Sequence, residues 1–250
     1  MNTHSNKLVI ISGPSGVGKT RLVQSFRKFF PNISAEYEPL VYYVSREARP
    51  DERNGVDRFF VSSDEIEKFK NNDKYIVAKA RRDLHAICID DVLKALARTN
   101  VIYEGSPFLA VSLMNHEYLR QTPKVSVFIS PLSKEEVMLF SAKDSKMNLK
   151  DAVERIISMK LLKRALRQKP ILSVDDYEDI SLRAASAFEE IKLAVKFDFV
   201  IPNHDGEESE NWDCFFYPVG DARKTLLLFA KILSGDFNTY GIENWSDVMF

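Results

Sequence analysis

Cysteine is almost absent from this chain. Cys88 and Cys214 are the only two in 250 residues, which excludes a disulfide framework and a four-cysteine metal site. An excess of either charge is absent too. The 35 Lys and Arg against 36 Asp and Glu leave a formal net charge of −1, so no global field draws the chain to nucleic acid or to an anionic membrane. No apolar run approaches the roughly 20 residues needed to cross a bilayer. There is no internal repeat and no low-complexity segment. The stretch Met1–Asn6 is polar, and the apolar run behind it is too short for a signal-peptide core. A soluble, cytoplasmic protein without nucleic-acid or membrane partners is expected, its oligomeric state left open. At 45% hydrophobic and 28% charged residues, the length suits one large domain, or one domain with insertions, with a sizeable core.

What is present is one strong motif. Gly13-Pro14-Ser15-Gly16-Val17-Gly18-Lys19-Thr20 fits the phosphate-binding pattern G-x-x-x-x-G-K-[ST] at every position. Leu8–Ile11 ahead of it reads as a buried strand. Behind it, Leu22, Val23 and Phe26 share one face of a helix. Strand, glycine loop and helix are the context the motif needs. Its glycines allow unusual backbone angles, so that the amides of the loop, Ser15 and Val17 included, and the helix N-terminus point at phosphate oxygens. Lys19 is placed to reach the β- and γ-phosphates of a nucleotide, and the Thr20 hydroxyl to hold Mg²⁺. ATP and Mg²⁺ are the expected cofactors.

Leu40–Val44 reads as a second strand. The loop after it carries Arg46 and Arg49, three apart, which suit either a phosphate clamp or a solvated charged loop. Asn100–Gly105 reads as a strand with Glu104 at its C-terminal end, the edge where open α/β sheets bind ligands. Glu104 there orients a Mg²⁺-bound water or the acceptor, or simply pairs with an arginine. Lys124–Pro131 is a further strand, followed by Ser133 as a helix cap with Glu136 at the capping-box position. Asn148–Gln168 reads as a helix with a basic end, and Asp221 as the cap of a terminal helix.

Two of these segments together resemble the guanylate kinase family. That family pairs a GPSGVGK loop with T-T-R-x-P-R-x-G-E-x-x-G-x-D-Y-x-F-V-S, and this chain has S-R-E-A-R-P-D-E-R-N-G-V-D-R-F-F-V-S at the matching distance. Pro131–Val137, Glu178–Arg183 and Phe197–Asn203 extend the likeness, which covers most of residues 7–235. The resemblance implies that Arg46 and Arg49 bind the acceptor phosphate and that Asn203 lies near the adenine of ATP. It also implies that the lid arginines Arg164, Arg167 and Arg183 close over the transferring phosphate; a competing register puts Arg155 in the place of Arg183. For Arg164 and Arg167 the alternative is favourable charge at a helix C-terminus.

The chain departs from the family where guanine is read. Arg58 stands for a tyrosine on the acceptor phosphate, and Tyr42 for a serine that reads the base. Ile76 or Val77 stands for a glutamate that reads the base. His85-Ala86 replaces a Tyr-Gly pair. Arg81, Arg82 and His85 suit a more anionic or differently shaped acceptor, or are simply surface. The acidic stretch His204–Asp213 is an insertion. It reads as a surface loop anchored by Trp212, or alternatively as a metal or base contact from His204, Asp205 and Glu207.

The expected fold is α/β, a P-loop-type parallel sheet flanked by helices, in a single guanylate-kinase-like domain. Its core is about 7–40, 91–140 and 184–235, its acceptor lobe about 41–90, its lid about 141–183 and its tail 236–250. The expected function is ATP-dependent phosphorylation of a nucleoside monophosphate, with GMP or dGMP implied by the family. The alternatives are a phosphotransferase on another nucleotide or a sugar phosphate, and a non-catalytic guanylate-kinase-like binding module.

Overall fold

The structure, a computed structural model, describes residues 6–48, 52–214 and 216–250. Its larger sheet has five strands, β1 (Leu8–Ser12), β2 (Tyr37–Pro39), β7 (Asn100–Gly105), β8 (Lys124–Ser130) and β9 (Phe199–Pro202). They run parallel in the order β2-β7-β1-β8-β9. A smaller sheet has the order β4-β3-β6-β5, made of β3 (Tyr43–Val44), β4 (Phe59–Phe60), β5 (Tyr75–Ala80) and β6 (Asp83–Cys88). The chain clusters into two compact units. One holds the chain up to Ile11 and Ala35–Val125; the other holds Ser12–Ser34 and Ser126–Phe250.

In the first unit, β6 pairs antiparallel with both β3 and β5. The α-helix α3 (Ser63–Phe69) starts at a capping box in which Ser62 accepts from the Glu65 amide and the Glu65 carboxylate accepts from the Ser62 amide. Its one buried residue, Ile66, joins Leu84 and Ala86 in a core that Tyr43, Val61, Phe69, Tyr75 and Val77 cover. The rings of Phe69 and Tyr75 stack at 4.3 Å between centroids. The helices α4 (Ile89–Leu96) and α5 (Pro107–Met114) flank β7. The expected strand Leu40–Val44 is not one strand. Leu40 still donates to Ile102 of β7, while only Tyr43 and Val44 join the second sheet. Burial alternates along the run, with Leu40, Tyr42 and Val44 inside. The strand-like period is therefore real, but it serves a crossing between sheets.

In the second unit, α1 (Lys19–Phe29) buries the expected Leu22, Val23 and Phe26. Phe26 meets Phe229 of the terminal helix, here numbered α9 (Gly220–Leu233), edge to face at 5.1 Å. A single helical turn, α2 (Pro31–Ser34), follows α1. Ser133 and Glu136 form the expected capping box at α6 (Lys134–Ser141). Asn148 caps α7 (Leu149–Gln168), which buries Val153, Ile157 and Leu161 and packs against α8 (Val174–Lys192). The chain's tail crosses the edge strand β9, where Val200 and Glu243 exchange two main-chain hydrogen bonds of 2.8 Å. That pairing covers an otherwise exposed sheet edge.

Trp245, fully buried, anchors this tail and donates its Nε1–H to Glu243 at 2.7 Å. Trp245→Ala leaves a large cavity and removes one of the two hydrogen bonds to the Glu243 carboxylate, the other coming from the Lys134 amide at 2.9 Å. It is expected to cost about 3–5 kcal/mol, read as a drop in the urea midpoint at unchanged slope.

Candidate active site

The phosphate loop lies between β1 and α1, as the motif requires. Gly13 has φ 142°, and a Cβ there runs into the Ile129 carbonyl oxygen. Gly18 has φ 95°, and a Cβ there lies 2.9 Å from the Asn203 amide nitrogen. Both positions therefore need glycine for shape and for space. Two of the loop's carbonyls are tied off from outside. Asn203, fully buried at the end of β9, donates Nδ2–H to the Val17 oxygen at 2.7 Å. The Glu207 amide donates to the Gly16 oxygen at 2.8 Å. With these carbonyls held outward, the loop's amides are turned toward a bound anion. Lys19 donates to the Gly13 and Pro14 oxygens at 2.8 and 2.7 Å, which curls its ammonium over the loop. Thr20 is exposed at the start of α1. Among the described residues no group of three or more His, Cys, Asp or Glu forms a metal cage. One hydroxyl suits Mg²⁺ carried largely by nucleotide phosphates and water, which is its usual mode.

The acidic stretch is a built loop beside this site. Asp205 accepts from Ser209, Asn211 and the Ala222 amide at 3.0, 2.7 and 2.7 Å. Trp212 is buried and donates to the Gly206 oxygen at 2.7 Å, as expected of an anchor. Glu207 pairs with Arg164 at 3.0 Å, and Arg167 with Glu210 at 3.0 Å and Glu208 at 3.7 Å. Arg183 pairs with Asp179 one turn earlier on its own helix at 2.8 Å. Arg164 and Arg167 thus reach the loop that holds Gly16. Lys160 of α7 donates to the His204 oxygen, and burial pulls its pKa down to about 8 against the pull of Asp205 and Asp221. Lys160 and Arg21 carry no motif and no role was expected of them, whereas Glu207, expected in a surface loop or as a metal or base contact, pairs with Arg164. Arg21, on α1, contacts Asp213 at 3.1 Å.

Asp221 is not the cap of α9. Val219 takes the cap position, and Asp221 in the first turn accepts from His204 instead. His204 lies between two carboxylates, Nδ1 to Asp221 at 2.5 Å and Nε2 to Glu136 at 2.7 Å. Both ring nitrogens face acceptors, so the ring is a cation when both bonds are made.

The candidate acceptor residues fall in the first unit. Arg46 forms a two-pronged pair with Glu52, both distances 2.6 Å, and lies over the Phe60 ring. Arg49 lies outside the described residues. The Arg58 guanidinium stacks on Tyr42 at 4.2 Å and donates to the Glu104 and Asp57 carbonyls at 3.1 and 2.5 Å. Burial opposes its charge, yet Tyr42 and Glu104 outweigh that and raise its pKa. Tyr42 also donates to the Glu104 carbonyl, at 3.3 Å. His85 is held neutral. Burial, then Arg81, Arg58 and Arg46, lower its pKa to about 3, and its Nδ1 is buried without a partner. Ile76 is buried and Val77 packs on the core, so neither offers an acceptor to a base. Glu52, the partner of Arg46, was missed although it sits six residues away in the same loop.

A guanylate kinase family model matches residues 5–191. The guanylate kinase of Carboxydothermus hydrogenoformans is 27% identical over 209 residues, covering 83% of this chain and 85% of that protein. That of Koribacter versatilis is 28% identical over 197 residues, covering 76% and 78%. The crystal structure of guanylate kinase from Anaplasma phagocytophilum has the same fold, with a TM-score of 0.55 at 16% identity over 94% of this chain and 88% of that one.

The His204 clasp sets a pH window for stability. Burial disfavours the charged ring, but the bonds to Glu136 and Asp221 win and raise its pKa above the ordinary 6.5. Its contribution is therefore full below 6.5 and lost as pH rises through the raised value. Glu136 and Asp221 are shifted down in spite of burial, chiefly by the same bonds, so their contribution is lost in acid. The melting-temperature gap between the wild type and His204→Gln is expected to be widest just below pH 6.5, to narrow as pH rises through the raised histidine value, and to narrow again in acid as the two carboxylates protonate.

Proposed function

Because the chain belongs to the guanylate kinase family, whose members are nucleoside monophosphate kinases, we propose that it transfers the γ-phosphate of ATP to GMP or dGMP. The observation that carries this reading is the phosphate loop. Its Gly16 and Val17 carbonyls are tied outward and its lysine curls over the loop, which leaves its amides for a polyphosphate.

Phosphoryl transfer asks little covalent chemistry of a protein, so catalysis is positioning and neutralisation of charge. The loop amides and Lys19 hold the donor's β- and γ-phosphates. Thr20 holds Mg²⁺, which supplies charge neutralisation between those phosphates when bound. Arg164 and Arg167, on a helix beside the loop, add positive charge at the transferring group. In the other unit, Arg46 offers a planar fork to the acceptor's phosphate. Glu52 keeps that fork oriented and gives way to a dianion of higher charge. Arg58 takes the place of a tyrosine phenol with a permanent cation.

A second reading, a different phosphate-ester acceptor, is favoured by one observation. The positions that should read guanine hold Tyr42, the buried Ile76 and the half-buried Val77, which packs on the hydrophobic cluster. A site without the polar partner of a base edge loses discrimination of about 10⁴-fold.

The test is ADP release from Mg·ATP against GMP, dGMP, AMP, CMP, UMP, dTMP and ribose phosphates, with Lys19→Ala as the inactive control. Turnover led by GMP or dGMP supports the proposal. A lead by any other acceptor replaces it with the second reading, and no ATP binding by calorimetry returns the chain to a binding module. Arg46→Ala is expected to raise the acceptor KM by about 10- to 100-fold while moving the ATP KM less than about threefold, since it removes a charge-assisted contact to one substrate alone. Steady-state kinetics with each substrate varied in turn checks it.

A further inference from the structure

Glu207 lies beyond residues 5–191, where the family model matches, and it joins three elements at once. Its amide holds the Gly16 carbonyl of the phosphate loop at 2.8 Å. Its carbonyl accepts from Arg21 Nε on α1 at 3.4 Å. Its carboxylate holds Arg164 of α7 at 3.0 Å, with the two side chains only 13% and 17% exposed. Close approach of the two backbones is built in. Gly206 has φ 68°, and a Cβ there lies 2.9 Å from the Gly16 oxygen and 2.9 Å from Lys160 Nζ. On the other side, Leu161 and Lys160 of α7 lie 3.3 and 3.6 Å from a Cβ placed on Gly16. The loop itself is fixed by Asp205 and by the Trp212–Gly206 bond.

We propose that Glu207 is a positioning residue of the donor site: it aims Arg164 at the γ-phosphate that the glycine loop holds. This rests on the kinase reading for its chemistry. A buried ion pair is a weak source of stability, because desolvation offsets the attraction. What it fixes is direction. One carboxylate oxygen takes one Arg164 nitrogen, and a guanidinium has five N–H donors, so the remaining donors are oriented rather than consumed. The same residue also fixes the Gly16 carbonyl, so the guanidinium and the loop amides share one frame. A positioned cation adds most to catalysis when it costs no reorganisation at the moment of transfer.

Calorimetry of Mg·ATP and Mg·ADP separates this role from support of the loop. The proteins are the wild type, Glu207→Gln, Arg164→Ala, the double variant and Glu207→Asp. Wild type is expected to prefer ATP. Glu207→Gln keeps the main-chain bond to Gly16 and is expected to lower that preference by about 5- to 10-fold, with the ADP affinity unchanged. The double variant is expected to lose no more than Arg164→Ala alone, because the two residues act as one unit. Glu207→Asp, which keeps the charge, is expected to retain most of the preference. Four results overturn the proposal: no ATP preference in the wild type, an unchanged preference in Glu207→Gln, equal losses for ATP and ADP, or additive losses. A wild type that turns over no acceptor counts against the kinase reading alone, since the binding cycle is decided without turnover.

Discussion

The phosphate loop works only if its peptide groups all face the right way, and a peptide cannot turn its N–H inward without turning its carbonyl outward. Each outward carbonyl then needs a partner, because a buried, unpaired one costs about 1–3 kcal/mol. The second unit meets this need from distant parts of the chain. Asn203 is fixed at the end of β9 by its own amide, which donates to Ser130 of β8 at 2.8 Å, and its side chain takes Val17. Glu207 takes Gly16. The tightness follows from the same requirement: at Gly13 and Gly18 the space of one methyl group is already filled by the elements that hold the loop.

Charge in this unit is arranged as facing pairs, with carboxylates in the majority. Arg164, Arg167 and Arg21 face Glu207, Glu208, Glu210 and Asp213. His204 faces Glu136 and Asp221. Each of these pairs has exposed partners except Arg164–Glu207, so most of them contribute little to stability and are screened by salt. Their effect is to keep long cationic side chains in place without leaving an uncompensated field. That explains how a chain with a net charge of −1 presents several arginines beside an anion site.

The motif, the buried face of α1 and the Ser133 capping box were legible because each depends on neighbours in sequence. Gly13 to Thr20 is contiguous, Leu22 to Phe26 is one helical turn, and Ser133 to Glu136 is three residues. The partners of the lid arginines were not legible, because Arg164 and Glu207 are 43 residues apart and nothing local pairs them. Asp221 shows the same limit from the other side. It has the composition of a cap, but His204, 17 residues earlier, claims its carboxylate. Leu40–Val44 carries a true alternation of buried residues and still failed as a strand, because alternation records burial and not which sheet the hydrogen bonds join.

The first unit raises the sharper chemical question. Arg58 is a buried cation whose close contacts are two backbone carbonyls and a tyrosine ring. Carbonyls and a π face stabilise a guanidinium without cancelling its charge, so it remains attractive to an anion. His85 responds to that field. It stays neutral down to about pH 3 because Arg81, Arg58 and Arg46 add to its burial. On the proposed function, an acceptor phosphate brought to this group offsets part of that positive field. The polar side chains gathered around Tyr42 therefore suit negative charge, whereas the apolar side chains of Ile76, buried, and Val77, half-buried, offer no hydrogen-bond acceptor. On the proposed function, binding energy in this unit concentrates on the acceptor's phosphate, and selectivity among bases rests on whatever Tyr42, Glu104 and His85 supply.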